Sequence, residues 1–285
     1  MKKLLYVAAL PAFLVSASTL VSAATSEVFV NGGFETGTGN SPSGWTLHSG
    51  TWKNGTISGI SYTTNSQSSD SAIITNNTLK DSYTLSNLSM VYSGAQSFRL
   101  GNLSVSGNTP NAHWASASQS FANFNASSLS FAFAAVLEDP TSGHTAAQEP
   151  RFTFQVKDET TNTFLYNISI SNPTGNTGGL TWHRGLVDNS AGSVFMYTDW
   201  QSVTLDTSSA IGDTLSVFVA SYDCSLGGHD GWAYIDGFTA LTAAAPNAGV
   251  DRQIYNPDVP EPSTYGLIGI GALALAVASR RRKKA

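Results

Sequence analysis

Apolar and polar residues alternate along several stretches of this 285-residue chain. In Arg151-Phe152-Thr153-Phe154-Gln155-Val156-Lys157, the residues Phe152, Phe154 and Val156 fall on one side and polar residues on the other. Successive side chains of a strand point to opposite faces, so this spacing predicts a strand with one face buried. Residues 163–170 form a second such run, and the polar turn Asp158-Glu159-Thr160-Thr161-Asn162 joins the two as a hairpin. Residues 129–137 put Phe131, Phe133, Ala135 and Leu137 on one face; Leu215, Val217 and Val219 repeat the pattern, as does 201–205. Weaker strands are expected at 27–30, 45–52, 57–63, 97–100, 115–121, 180–187 and 232–241. No long stretch holds a 3.6-residue apolar period. Many short strands without helices between them predict an all-β fold, a single antiparallel β-sandwich over residues 24–242. Residues 243–258, with Pro246 and Pro257, read as a linker.

The two ends follow other rules. Lys2 and Lys3 precede an apolar stretch at 4–15, and Val21-Ser22-Ala23 offers small residues at a cleavage position. This is the layout of a secretory signal peptide over residues 1–23, handled by the Sec export machinery and signal peptidase. At the other end, Val259-Pro260-Glu261-Pro262-Ser263 leads into an apolar run from Tyr265 to Ala278, closed by Arg280-Arg281-Arg282-Lys283-Lys284. As a helix that run spans roughly 21 Å, short of the ~30 Å hydrocarbon core. Its basic cluster resists translocation and holds its end in the cytoplasm. Motif, hydrophobic stretch and basic tail in this order resemble the PEP-CTERM sorting signal of exopolysaccharide-producing Gram-negative bacteria, here over residues 259–285. The resemblance implies an exported protein that passes through an inner-membrane intermediate, held by its C-terminal hydrophobic sorting helix. It also implies an exosortase-type membrane protease as partner, and delivery to the cell surface or extracellular matrix.

Charge is segregated to match. Of 14 basic residues, two lie in the leader and five in the tail, leaving seven between them, while all 19 acidic residues lie from Glu27 to Glu261. The exported body therefore carries 7 − 19 = −12. Such a surface excludes nucleic-acid binding and favours neutral ligands or divalent cations. Cys224 is the only cysteine, so no disulfide within the chain supports the fold.

Two segments of the body carry further resemblances. Phe29-Val30-Asn31-Gly32-Gly33-Phe34-Glu35, followed by Gly44-Trp45, resembles the opening strand of jelly-roll domains of the carbohydrate-binding-module type. The second segment runs Tyr222-Asp223-Cys224-Ser225-Leu226-Gly227-Gly228-His229-Asp230-Gly231-Trp232-Ala233-Tyr234-Ile235-Asp236 and resembles the closing hairpin of bacterial surface sandwiches. Trp232, Tyr234, Asp236 and Phe238 share one parity and are expected on one face. The jelly-roll likeness implies that the first and last strands lie side by side. It would then bring Asp236 near Glu35 and complete a structural calcium site from these two carboxylates.

Other chemistry is thinner. Cys224 and His229 are both zinc-type ligands, but zinc asks for three or four, and His48, His113, His144 and His183 are scattered without paired spacing. The expectation is that His229 orders its glycine loop by hydrogen bonding. Glycoside hydrolysis needs two carboxylates across a cleft. Glu138, Asp139, Glu149 and Asp158 are the candidates, all beside loops where acids ordinarily serve only as solvated groups. No nucleophile-elbow, zinc-protease or phosphate-loop motif is present. The sequence therefore favours a non-catalytic surface protein that binds exopolysaccharide, with a secreted polysaccharide hydrolase as the alternative. Trp182-His183-Arg184, a flat apolar ring beside two donors, is the most ligand-like cluster.

Overall fold

The computed structural model describes residues 28–52, 71–101, 112–140, 143–171, 173, 179–189 and 192–240. The expected leader, the strand at 57–63, the linker and the sorting segment lie outside the described residues.

Alternation translates directly into strands where one sheet face meets water. β1 (Gly37–Thr38) and β2 (Ser41–Pro42) form a small ribbon. They are followed by β3 (Thr46–Trp52), β4 (Ala72–Ile74), β5 (Ser97–Leu100), β6 (Ala112–Phe121) and β7 (Ser128–Pro140). Next come β8 (Arg151–Asp158), β9 (Thr163–Ser171), β10 (Trp182–Asp188) and β11 (Ser193–Thr198). The last three are β12 (Gln201–Asp206), β13 (Leu215–Tyr222) and β14 (Gly231–Thr239). Five strands form one sheet in the order β3-β6-β13-β8-β9. A seven-stranded sheet runs β10-β11-β7-β14-β5-β4, with β12 also paired to β7. Every pairing is antiparallel, and the two sheets make an all-β sandwich.

The inward faces meet over an aromatic core. Phe34, Phe98, Phe131, Phe133, Phe152, Phe154 and Phe238 are buried there, joined by Leu129, Val156, Val217, Val219 and Ile235. The phenyl rings of Phe131 and Phe154 lie 4.1 Å apart, and those of Phe133 and Phe152 lie 5.1 Å apart. Most of β7 is buried on both faces, because a second apolar layer covers the outside of its sheet. That layer packs Val136, Phe195, Tyr197, Trp232 and Tyr234 beneath Leu88 and Val91 of the segment before β5.

The chain's opening differs from the expected strand. Residues 28–34 turn, although Val28 N–H donates to Ala240 O at 3.2 Å and Gly32 O accepts from Phe238 N–H at 3.0 Å. The expected adjacency of first and last segments is thus met by a turn lying against β14. Asn31 is its hub: Nδ2 donates to Thr36 O and Ser43 O, Oδ1 accepts from Thr36 N–H, and its carbonyl accepts from Trp45 Nε1–H. A Cβ on Gly32 would lie 1.9 Å from Phe238 O, so only glycine lets the turn approach β14 this closely. Phe34 then fills the core, 4.9 Å from the Trp45 ring and 5.4 Å from that of Phe98.

The parity expected for β14 also breaks. Its register with β7 shifts between Asp236 and Thr239, where Gly237 takes a φ of +64°. One extra residue in a bulge reverses the facing of every later side chain in the strand. Phe238 consequently turns into the inter-sheet core with Phe29 and Trp45, while Trp232 and Tyr234 belong to the outer layer.

Candidate functional site

Three neighbourhoods hold the chemistry-bearing side chains. The first joins the opening turn to β14. Asp236 is 0% exposed; its Oδ2 accepts from Tyr92 N–H and Ser93 N–H, and its Oδ1 from Gly237 N–H. Glu35 Oε1 accepts from Ala95 N–H at 2.8 Å and Gln96 N–H at 3.2 Å. One loop, 92–96, thus lies against both carboxylates, and a Cβ on Gly94 would fall 2.1 Å from Glu35 Oε1. Burial, with a smaller push from the Glu35 charge, raises the Asp236 carboxyl to about 7. Among the described residues neither carboxylate forms an ion pair. Two hard oxygen donors drawn together without a cationic side chain are a donor set suited to calcium.

The second neighbourhood is the water-facing side of the five-stranded sheet. A groove of about 430 Å³ runs there between Ser118, Ser120, Gln155 and Ser216, with Phe164 and Phe218 contributing two phenyl rings. Phe164 is 46% exposed, and Lys157 Nζ sits 5.9 Å above its ring while pairing with Glu159 at 2.7 Å. Gln155 Nε2 donates to Asn167 Oδ1, which orients the amide at the groove wall. Sequence reasoning read 151–157 only for its buried face; the polar side of the same alternation lines this groove.

Trp182-His183-Arg184 lies elsewhere, on β10 at the edge of the seven-stranded sheet. The strand divides the triplet. Trp182 packs against the inter-sheet core, while His183 lies over the Tyr197 ring at 5.2 Å and pairs with Asp199 at 2.9 Å. Arg184 is exposed. The Trp182 ring and the His183 donor therefore face opposite sides of the sheet, while Arg184, two residues on, shares the parity of Trp182.

The third neighbourhood is at the end of the sandwich, where loop 223–230 meets 143–150. Here ligand atoms of His144, Cys224 and His229 all lie within 4.8 Å of one another. Burial pushes the Cys224 thiol up to about 11 and keeps His229 below the usual imidazole range. The expected hydrogen-bonding role of the His229 ring is not what the structure shows: among the described residues neither ring nitrogen has a hydrogen-bond partner, and the loop is held by its carbonyl, which accepts from Cys224 N–H at 2.9 Å. Glu138, Asp139 and Glu149 are buried around this end, Glu138 accepting from Asp230 N–H and the Ser193 hydroxyl. Asp158 stands at the opposite end of β8 from Arg151, accepting from Thr160 and Thr161 to hold the hairpin turn. The four acids do not converge on one open cleft.

Comparison with known proteins bears on the tail and on the fold. Residues 258–283 match the family model for the PEP-CTERM protein-sorting motif. The motif marks an exported chain that passes through a membrane-anchored sorting intermediate. No curated protein matches the chain. Among solved structures, the chain is similar to TmCBM61 in complex with β-1,4-galactotriose, at 11% identity over 76% of this chain and 99% of that one, with a TM-score of 0.39. It is also similar to a family 11 carbohydrate-binding module from Clostridium thermocellum in complex with a β-1,3-1,4-mixed-linked tetrasaccharide. There the identity is 11% over 78% of this chain and 98% of that one, with a TM-score of 0.30. A bacteriophage CBA120 tailspike domain is matched at 11% identity over 75% of this chain but only 21% of that one, with a TM-score of 0.31.

Proposed function

We propose that this protein is a non-catalytic component of the bacterial surface or extracellular matrix, sorted through its tail by an exosortase-type protease, that binds a neutral polysaccharide in the groove of its five-stranded sheet. The groove itself carries this reading. Two phenyl rings lie among the Gln155 amide and serine hydroxyls, which combines a stacking platform for a sugar ring with donors and acceptors for its hydroxyl groups. The body's charge of 7 − 19 = −12 disfavours an anionic polymer and leaves a neutral one. Against hydrolysis stands the burial of Glu138, Asp139, Glu149 and Asp158, each under 5% exposed, where no glycosidic bond can reach between two of them.

Affinity electrophoresis through the producing organism's exopolysaccharide tests the groove. Phe164→Ala should lower retention by roughly tenfold, the weight of one lost stacking contact of about 1.5 kcal/mol. Trp182→Ala, a probe of the edge triplet, should leave retention unchanged. Retention lost in Trp182→Ala and kept in Phe164→Ala would move the site to β10.

Glu35 and Asp236 are proposed to hold one structural calcium, supported by the desolvated carboxylate of Asp236 beside Glu35, which has no ion pair among the described residues. The ion would tie the opening turn to β14. Calcium should raise the melting temperature of chelator-treated protein, and Glu35→Gln should abolish that rise. An absent shift, with no calcium heat by titration calorimetry, would dispose of the site.

A further inference from the structure

We propose that His144, Cys224 and His229, with one carboxylate from Asp139 or Glu149, bind a single zinc-type cation at the end of the sandwich, separate from both the groove and the Glu35–Asp236 pair.

The geometry is nearly assembled. Nitrogen and sulfur ligands on tetrahedral zinc, at about 2.0–2.3 Å from the metal, stand about 3.3–3.7 Å from one another. The three ligand atoms here all lie within 4.8 Å, so contraction by about an ångström closes a metal's shell. Backbone bonds already fix the two loops that carry them. Ser225 N–H donates to Gln148 O at 2.8 Å, Thr145 N–H to Gln148 Oε1 at 2.9 Å, and Gly227 N–H to Cys224 O at 2.9 Å.

The surroundings point the same way. His229 is 8% exposed, and both of its ring nitrogens lack a hydrogen-bond partner. A buried imidazole always presents a donor or an acceptor at each nitrogen, and a metal–nitrogen bond removes the desolvation cost at one of the two. Asp139 Oδ2 and Glu149 Oε2 are likewise buried without partners, and their charges act on His229 and His144 respectively. A mixed thiol, imidazole and carboxylate set selects a borderline cation over calcium. Binding would displace the Cys224 thiol proton, leaving the thiolate as ligand. A nucleophilic Cys–His pair is the competing use of the same residues. It requires an exposed thiol that a substrate can reach, whereas Cys224 is fully buried. Half-exposed His144 leaves a route of entry.

Cobalt(II) titration of the purified, chelator-stripped chain tests the site. One equivalent should produce a thiolate-to-metal absorption band and visible d–d bands of tetrahedral intensity, and one equivalent of zinc should bleach both. Cys224→Ser should lose the thiolate band, and His229→Gln should weaken cobalt affinity at least tenfold. One of Asp139→Asn and Glu149→Gln should weaken it too; if neither does, the carboxylate ligand is overturned. X-ray absorption on the zinc-loaded wild-type chain needs no variant and should show one sulfur scatterer near 2.3 Å. A shell of nitrogen and oxygen alone, no saturation at one equivalent of cobalt, or a thiolate band surviving in Cys224→Ser overturns the site.

Discussion

A single buried acid organises the outer layer of the seven-stranded sheet. Asp81 is 1% exposed, and its Oδ2 accepts from both Trp232 Nε1–H and Tyr234 O–H at 2.8 Å, while Oδ1 accepts from Tyr83 N–H. Tyr83 in turn packs edge-on against Trp232 and Phe195. The two aromatics that alternate out of β14 are therefore closed off from solvent, with Asp81 as their shared acceptor. Asp81→Ala would strand two buried donors, each costing about 1–3 kcal/mol when unpaired, so the loss should total roughly 2–6 kcal/mol. Urea denaturation followed by tryptophan fluorescence checks this, with an unchanged m-value marking a pure stability effect. Asp81→Asn, which keeps one acceptor oxygen, should lose less. Nothing in the alternation of 232–241 announces Asp81, because its partners lie about 150 positions away and a lone acid in a polar stretch reads as solvated.

Strands whose two sides differ in residue type were legible, including β7 with large rings on one side and mostly small residues on the other, and a strand apolar on both sides was not. The run 151–157 appears in the structure as β8, and the polar turn before 163 joins it to β9 as expected. β11 escaped notice because Ser193-Val194-Phe195-Met196-Tyr197-Thr198 carries apolar residues on both sides, as a strand between β10 and β7 under an outer layer must. β4 has only three residues, too few to display a period. The opening segment failed for another reason. It resembles an opening strand, yet the segment spends its hydrogen bonds on the Asn31 side chain and on β14 instead of a regular ladder. The bulge at Gly237 shows the limit of parity: period-two reasoning holds only until one inserted residue reverses it, and here that reversal separates Phe238 from Asp236. Sites follow the same division. Glu35 and Asp236 were within reach of a family resemblance because each sits in a motif of its own. The His144–Cys224–His229 cluster was out of reach because its third member comes from a loop some 80 residues earlier, and no spacing rule joins them.

At the scale of the whole molecule, charge and hydrophobicity divide the chain by destination. A stretch of −12 lies between two basic ends, and the C-terminal basic cluster overlaps the matched sorting motif. An apolar run of roughly 21 Å is marginal against a ~30 Å hydrocarbon core, and Gly266, Gly269 and Gly271 weaken it further as a helix. Five cationic residues beyond it can hold such a segment in place while the body emerges on the other side, even where the helix alone would anchor weakly. On the proposed function, this segment is retained temporarily and then cut near Pro260-Glu261-Pro262, after which the acidic body would be repelled by anionic headgroups and released toward the matrix. Intact mass measurement on protein recovered from the cell surface should accordingly give a chain that begins at Ala24 and lacks Arg280–Lys284. Replacing Pro260-Glu261-Pro262 with alanines should shift the protein to the membrane fraction with its basic tail retained. Recovery of wild-type surface protein still carrying Arg280–Lys284 would instead make the tail a permanent anchor, and would require neighbouring helices or local thinning of the bilayer to accommodate its short span.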